Sequence, residues 1–215
     1  MKFPFSHPEI ISLPIAGQNT KFPVNNIYCV GRNYALHAKE MGEDERQPPF
    51  FFSKPNWTLT TEDVHYPKDT ENMQHEIELV LAIGENDTVF GIAAGVDLTR
   101  RDLQKRAKKA GRPWFAGKNF VGSSPVSTIV PVNHPLDFSK IELRLHVNGE
   151  LRQNATCDQM IWSPSEILSQ ISYDIPIEPG DLIYTGTPEG VGPVNIGDEI
   201  VASIEGKVKH SFTII

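Results

Sequence analysis

Proline and glycine punctuate this chain from end to end, 17 and 16 of its 215 residues, and leave only short segments between them. Proline lacks a backbone donor and blocks helix continuation, so few long helices fit such a chain. The intervening segments are rich in Val, Ile, Leu, Phe and Tyr, which favours strands. Strands are expected at residues 26–30, 50–53, 76–83, 89–96, 140–147, 182–184, 199–204 and 208–214. Turns are signalled by Asn148-Gly149, Pro179-Gly180-Asp181, Gly197-Asp198 and Glu205-Gly206. Three stretches read as helical. Residues 100–110 have Thr99 and Asp102 as a capping pair and Gly111 with Pro113 as the stop; a second helix follows Ser163-Pro164 to about Tyr173; a short third spans 34–41. Many strands and few helices, without strict βαβ alternation, predict an α+β fold on a curved mixed sheet, as one domain over residues 1–215.

A net charge of -7 argues against a nucleic-acid-binding surface, for which a basic patch is expected. The apolar runs are too short to span a membrane, and the first residues lack the continuous apolar stretch of a secretory signal. A soluble cytoplasmic protein with neither nucleic-acid nor membrane partners is expected. Cys29 and Cys157 are too few and too far apart for a disulfide framework or zinc site and read as reduced thiols.

Chemistry concentrates in His75-Glu76-Ile77-Glu78-Leu79-Val80-Leu81. On a half-buried strand Glu76 and Glu78 share one face, with Ile77, Leu79 and Leu81 on the other. Two adjacent anions repel unless a hard cation accepts oxygen from both, so a divalent metal site and a solvated acidic face are the two readings. Asp97 ends the next strand just before a helix, where it serves either as a third ligand or as a turn residue. Three carboxylates without a His or Cys partner favour Mg²⁺ or Mn²⁺. His75 lies on the opposite face from Glu76 and reads as a packing residue.

His37 and Glu40 are spaced to share a helical face, either as an oriented general base or as an ordinary surface pair. The polar, proline-ended stretch after them suits a lid closing over substrate. Lys118 follows the apolar Trp114-Phe115-Ala116-Gly117 and suits a substrate carboxylate or an enolate, with a snorkelling surface lysine as the alternative. Residues 185–192 form a glycine-rich loop matching neither a phosphate loop nor the dinucleotide spacing. Its Thr187 offers a hydroxyl and an amide to an anion, although a plain tight turn fits as well.

Together, CVGRNYALHAKEM at 29–41, HEIELVLAIG at 75–84, GVDLTRRDLQ at 95–104, GRPWFAGKNF at 111–120, VNGELRQ at 147–153 and IEPGDLIYTGTPEGVGP at 177–193 resemble the fumarylacetoacetate hydrolase family. The match is to its short single-domain branch of acylpyruvate hydrolases, isomerases and decarboxylases, in the family's order over about residues 27 to 213. The resemblance implies a mixed β-roll of the family's C-terminal domain type, a homodimer and no organic cofactor. It also implies that Glu76, Glu78 and Asp97 hold the metal, that His37 and Glu40 form the lid dyad, and that Lys118, Gln104 and Thr187 touch substrate. Arg101 and Asp102 match family positions in a supporting role. Gln74 stands where the family often has a second His, which is not a metal ligand.

The expected activity is Mg²⁺-dependent hydrolysis of a carbon–carbon bond in a small 2,4-dioxo acid, acylpyruvate or fumarylpyruvate in type, through pyruvate enolate. The same metal-enolate site would also serve isomerisation of an unsaturated 2-oxo acid or decarboxylation of oxaloacetate. An inactive metal- or anion-binding protein on this scaffold is the non-enzymatic alternative, against which the retention of His37, Glu40 and Lys118 argues.

Overall fold

A computed structural model describes residues 4, 6, 9–40, 48–132 and 136–215. In chain order its principal strands are β1 (Ile27–Gly31), β2 (Phe50–Lys54), β3 (Met73–His75), β4 (Ile77–Ile83), β5 (Val89–Val96), β6 (Thr99–Arg100) and β7 (Val130–Pro131). They continue with β8 (Glu142–Val147), β9 (Glu150–Thr156), β10 (Leu182–Tyr184), β11 (Gly192–Pro193), β12 (Glu199–Ile204) and β13 (Val208–Thr213). The helices are α1 (Ala35–Glu40), α2 (Arg101–Lys109), α3 (Phe115–Lys118) and α4 (Pro164–Asp174). None of the described helices is long and apolar enough to cross a membrane.

The strands form separate sheets rather than one curved sheet. A six-stranded sheet has the order β7-β5-β4-β10-β1-β2, and its β10–β1 pair is parallel while the others are antiparallel. A four-stranded antiparallel sheet, β9-β8-β12-β13, packs over one face of it. A small third sheet, β11-β3-β6, carries the approach to β4. This mixed-sheet α+β architecture is the expected one.

Every residue of β4 is buried, which corrects the expectation of a half-buried strand. Ile77, Leu79, Leu81 and Ile83 pack toward β8, β12 and α4 through Leu143, Leu145, Ile200, Ala202, Ile167 and Ile171. Val80 and Ala82 point the other way, into a second core with Ile27, Leu182, Tyr184 and the N-terminal hairpin residues Leu13 and Phe22. Covered on both faces, such a strand reads as a nearly continuous apolar run. Each fully buried Leu or Ile contributes about 1.5–3 kcal/mol of hydrophobic free energy before entropy is charged, so this double packing anchors the sheet.

Strand β9 had no expected counterpart. It is an edge strand with exposed Glu150, Leu151 and Arg152, so it lacks hydrophobic alternation, yet it pairs with β8 along its length. The expected Asn148-Gly149 turn makes that hairpin possible: φ is 51° at Asn148 and 79° at Gly149, the left-handed pair required by a tight two-residue connection.

Helix α4 carries the expected cap: Glu166 N–H donates to Ser163 Oγ at 3.3 Å, and Ser163 N–H donates to Glu166 Oε2 at 2.8 Å. The capping pair expected for α2 is not made. Thr99 Oγ1 donates to the Asp97 carbonyl at 3.1 Å, and Asp102 Oδ1 accepts from Thr70 Oγ1 at 2.5 Å, so both side chains serve neighbouring segments. The stop at Gly111 is as expected, with φ +60° and its N–H bonded to the Lys108 carbonyl at 3.1 Å.

Candidate active site

Strand β4 begins at Ile77, one residue later than expected, and Glu76 occupies the break between β3 and β4. The β4–β5 register sets Ile77 opposite Val96, and just beyond it Asp97 N–H donates to the Glu76 carbonyl at 2.8 Å. Glu78, on the face shared with Val80 and Ala82, lies opposite Gly95. One hairpin thus gathers all three carboxylates, and a ligand oxygen from each of Glu76, Glu78 and Asp97 lies within 4.8 Å of the others.

The three environments differ. Lys118, the last residue of α3, donates to Glu76 Oε2 at 2.6 Å and to Asp97 Oδ2 at 2.5 Å. Lys54, the last residue of β2, donates to Asp97 Oδ1 at 2.6 Å and to the Ser123 carbonyl at 2.8 Å. Arg101 opens α2 and bonds Glu76 Oε1. Burial alone would raise the Glu76 pKa, yet Lys118 and Arg101 hold it well below the ordinary carboxylate range. Burial also opposes the charge on Lys118, but Asp97 and Glu76 outweigh it and raise the lysine above its usual value.

Glu78 goes the other way. Burial first, then the charges of Asp97 and Glu76, push its carboxyl well above the ordinary range. Its Oε2 accepts the Gly186 N–H at 2.6 Å. Gly186 sits at φ +95°, and a Cβ there would fall 2.6 Å from Asn33 Cβ, so only glycine brings this amide so close. A carboxylate with so little cationic compensation, converging with two others, fits a divalent cation that takes oxygen ligands.

A pocket open to solvent lies above the carboxylates. His37, Gln104, Lys118 and Thr187 all line it, as do Arg101, Arg32, Lys108 and the aromatic rings of Phe50, Phe52 and Trp114. His37 is 7% exposed. The side chain of Glu40 and residues 41–47 of the expected lid lie outside the described residues.

Asp102 is absent from the pocket lining; its Oδ1 accepts from Thr70 Oγ1 at 2.5 Å and its Oδ2 lies 3.7 Å from Arg106. Arg101 does more than support: Nη1 donates to Gln104 Oε1 at 2.6 Å, and Nε donates to Gln74 Oε1 at 2.7 Å. Gln74, the departure from the family pattern, therefore orients a pocket arginine.

Two residues escaped the sequence reading. Lys54 alternates with Phe50 and Phe52 along β2, and that period-two spacing, extended by two residues, was the available signal. Gln153, on β9 and 1% exposed, ties three segments together. Its Oε1 accepts from Ile77 N–H at 3.0 Å and sits 2.9 Å from His75 Nδ1; its Nε2 donates to Thr187 Oγ1 and to the Pro188 carbonyl, each at 2.9 Å. The Ile77 donor and the Pro188 acceptor permit only one orientation of the amide, which makes His75 Nδ1 the protonated nitrogen. Thr187 Oγ1 is occupied as an acceptor there, which leaves its hydrogen to donate elsewhere. Burial lowers the His75 pKa, consistent with a neutral packing role.

The family profile described as "Fumarylacetoacetate (FAA) hydrolase C-terminal" matches residues 26–214. The chain is 43% identical over 201 residues to human "Oxaloacetate tautomerase FAHD1, mitochondrial", covering 88% of this chain and 91% of that protein. It is 42% identical over 177 residues to a fumarylpyruvate hydrolase of Ralstonia sp, covering 77% of this chain and 92% of that protein. Among solved structures, fumarylpyruvate hydrolase from Pseudomonas aeruginosa in complex with Mn²⁺ and pyruvate is similar at a TM-score of 0.95 and 42% identity, over 100% of this chain and 99% of that one. Residues 26–214 carry both the family match and the whole carboxylate pocket, and the chain belongs to the fumarylacetoacetate hydrolase family.

Proposed function

We propose that this chain is a divalent-metal-dependent hydrolase that splits 2,4-dioxo acids of the acylpyruvate or fumarylpyruvate type into a carboxylic acid and pyruvate. The observation that carries the reading is the convergence of Glu76, Glu78 and Asp97 beneath Lys118, Arg101 and His37 in one pocket. The likeness to fumarylpyruvate hydrolases supports it. Glu76, Glu78 and Asp97 would hold Mg²⁺ or Mn²⁺, which when bound supplies a Lewis acid for the 2-oxo group and positive charge for the acid.

The remaining roles belong to side chains. Lys118 has three N–H donors, and after Glu76 and Asp97 take two, one is left for a substrate oxygen. Gln104 accepts from Arg101 through Oε1, which turns its amide nitrogen into a donor for the substrate carboxylate. Thr187, fixed as an acceptor by Gln153, donates its hydrogen to the same anion. His37 removes a proton from water, whose oxygen bonds to the 4-oxo carbon. The bond from that carbon to the methylene then breaks, its electron pair passes to the 2-oxo group as enolate, and Lys118 stabilises the developing charge. Protonation of the methylene carbon gives pyruvate.

A second reading is favoured by the 43% identity to an oxaloacetate tautomerase: proton transfer in, or decarboxylation of, oxaloacetate, or isomerisation of an unsaturated 2-oxo acid. These reactions draw on the same enolate-stabilising groups but need no attacking water. Turnover of acetylpyruvate, fumarylpyruvate and oxaloacetate with Mg²⁺ or Mn²⁺ decides between them. His37→Ala should slow acylpyruvate hydrolysis by roughly 10²- to 10⁴-fold, the usual effect of losing a general base, and oxaloacetate decarboxylation much less. Equal losses in both would contradict water activation by His37. Glu78→Ala should abolish the rise in melting temperature on adding Mn²⁺; an undiminished rise would remove Glu78 from the ligand set.

A further inference from the structure

Lys118 ends α3, a helix of only four residues with no side-chain cap at Trp114. A helix this short forms only where its surroundings complete its hydrogen bonds. Its closing N–H groups, of Lys118 and Asn119, donate to the Trp114 and Phe115 carbonyls at 3.0 and 2.8 Å. The carbonyls of its last turn are met from outside. Arg100 Nη2 bonds the Ala116 carbonyl, Nη1 reaches the Lys68 carbonyl at 3.4 Å, and Cζ lies 5.2 Å from the centre of the Phe120 ring just past the helix. Ser123, fully buried, donates through Oγ to the Lys118 carbonyl at 3.0 Å and accepts the Phe120 N–H at 3.3 Å. Its own carbonyl accepts from Leu98 N–H at 3.0 Å, next to Asp97, as well as from Lys54.

Two carboxylates hold Lys118 Nζ, but they do not aim it. With two N–H groups committed to Glu76 and Asp97, the direction of the third follows from where Cε enters, and therefore from the seat of α3. Neither Arg100 nor Ser123 lines the pocket, so neither acts on substrate directly. We propose that Arg100 and Ser123 are positioning residues for Lys118: they close the C-terminus of α3 from two sides and so fix the direction in which the lysine donates to a developing enolate. Arg100 ends β6 and Arg101 opens α2, so one junction sends one arginine into the pocket and its neighbour to the back of the lysine's helix. The inference rests on the enolate-stabilising role given to Lys118 above and adds what enforces it.

Arg100→Met and Ser123→Ala, each alone and combined with Lys118→Met, test it by kcat and KM on acetylpyruvate, fumarylpyruvate and oxaloacetate with Mn²⁺. Calorimetric binding of oxalate, an enolate analogue, gives the same cycle where turnover is too slow to measure. Each single variant should lower kcat about 10- to 100-fold with KM little changed, because the misplaced contact is one that strengthens as enolate charge develops. Added to Lys118→Met, neither should cost anything further, since both act through that ammonium. Arg100→Lys keeps a charged donor for the Ala116 carbonyl and should restore part of the loss. Deuterium exchange at the Lys118 and Asn119 amides should quicken in Arg100→Met while β4 stays as protected as in the parent. Additive losses in the double variants, a loss falling on KM, or parental kcat in both single variants would overturn the positioning role and leave the reading of Lys118 standing. Parental kcat and oxalate affinity in Lys118→Met itself would refute both.

Discussion

Replacing Gln153 with methionine keeps the side chain's length and removes its amide. Four contacts are lost at once: Ile77 N–H, His75 Nδ1, Thr187 Oγ1 and the Pro188 carbonyl. Two of these are backbone groups, and Gln153 is 1% exposed, so water does not readily take its place. At about 1–3 kcal/mol for each buried group left unpaired, and with some relaxation of the loop, Gln153→Met should cost about 3–5 kcal/mol. Urea unfolding should show a lower midpoint with an unchanged slope. The same amide orients the Thr187 hydroxyl, so the variant should also weaken oxalate binding to the Mn²⁺-loaded protein. In a double-mutant cycle on that affinity, Gln153→Met and Thr187→Val should be strongly non-additive, since either one removes the same donor. A stability loss under about 1 kcal/mol, or additive effects on oxalate, would refute the assigned hydrogen-bond polarity.

His210 is buried, its Nε2 has no hydrogen-bond partner among the described residues, and burial lowers its pKa. The folded protein thus favours the neutral ring, so this contribution to stability is present above the unfolded value near 6.5 and is lost as pH falls through the folded pKa, by up to about 1.4 kcal/mol per pH unit. His210→Phe should flatten urea midpoints between pH 6.5 and 5 relative to the parent, and identical pH slopes would refute this. Ser163→Ala removes the cap of α4 and should cost about 1 kcal/mol by urea unfolding, while no change would mean the Ser163–Glu166 box contributes nothing.

The legible parts of this fold were those whose signal is local. Strands β5, β10 and β12 were expected with their observed limits because each is an apolar run closed by turn residues. Strand β9 was hidden because an edge strand with one buried face and polar exposed residues has no such run. Within the site, Glu76, Glu78 and Asp97 were legible because all three stand at or beside the facing ends of the paired strands β4 and β5. Lys54 was not, since its partner Asp97 is 43 positions away and only the packing of β2 beside β1 brings them together. Capping of α2 failed for another reason: Thr99 and Asp102 had the right spacing, but Thr99 turns back to the Asp97 carbonyl two residues away and Asp102 accepts from Thr70, 32 positions away. Sequence spacing shows which groups are able to meet, and competition among partners decides which do.

The double burial of β4 and β5 also has a kinetic consequence. Their amides are locked in a register continued by the Asp97–Glu76 backbone bond, with packed side chains above and below, so solvent reaches them only when the whole domain opens. Deuterium exchange at these positions should therefore report global unfolding. The three carboxylates are placed differently: they open onto the pocket lined by Trp114 and Lys108, so a divalent ion that they held would exchange through that pocket without any opening of the sheet beneath it.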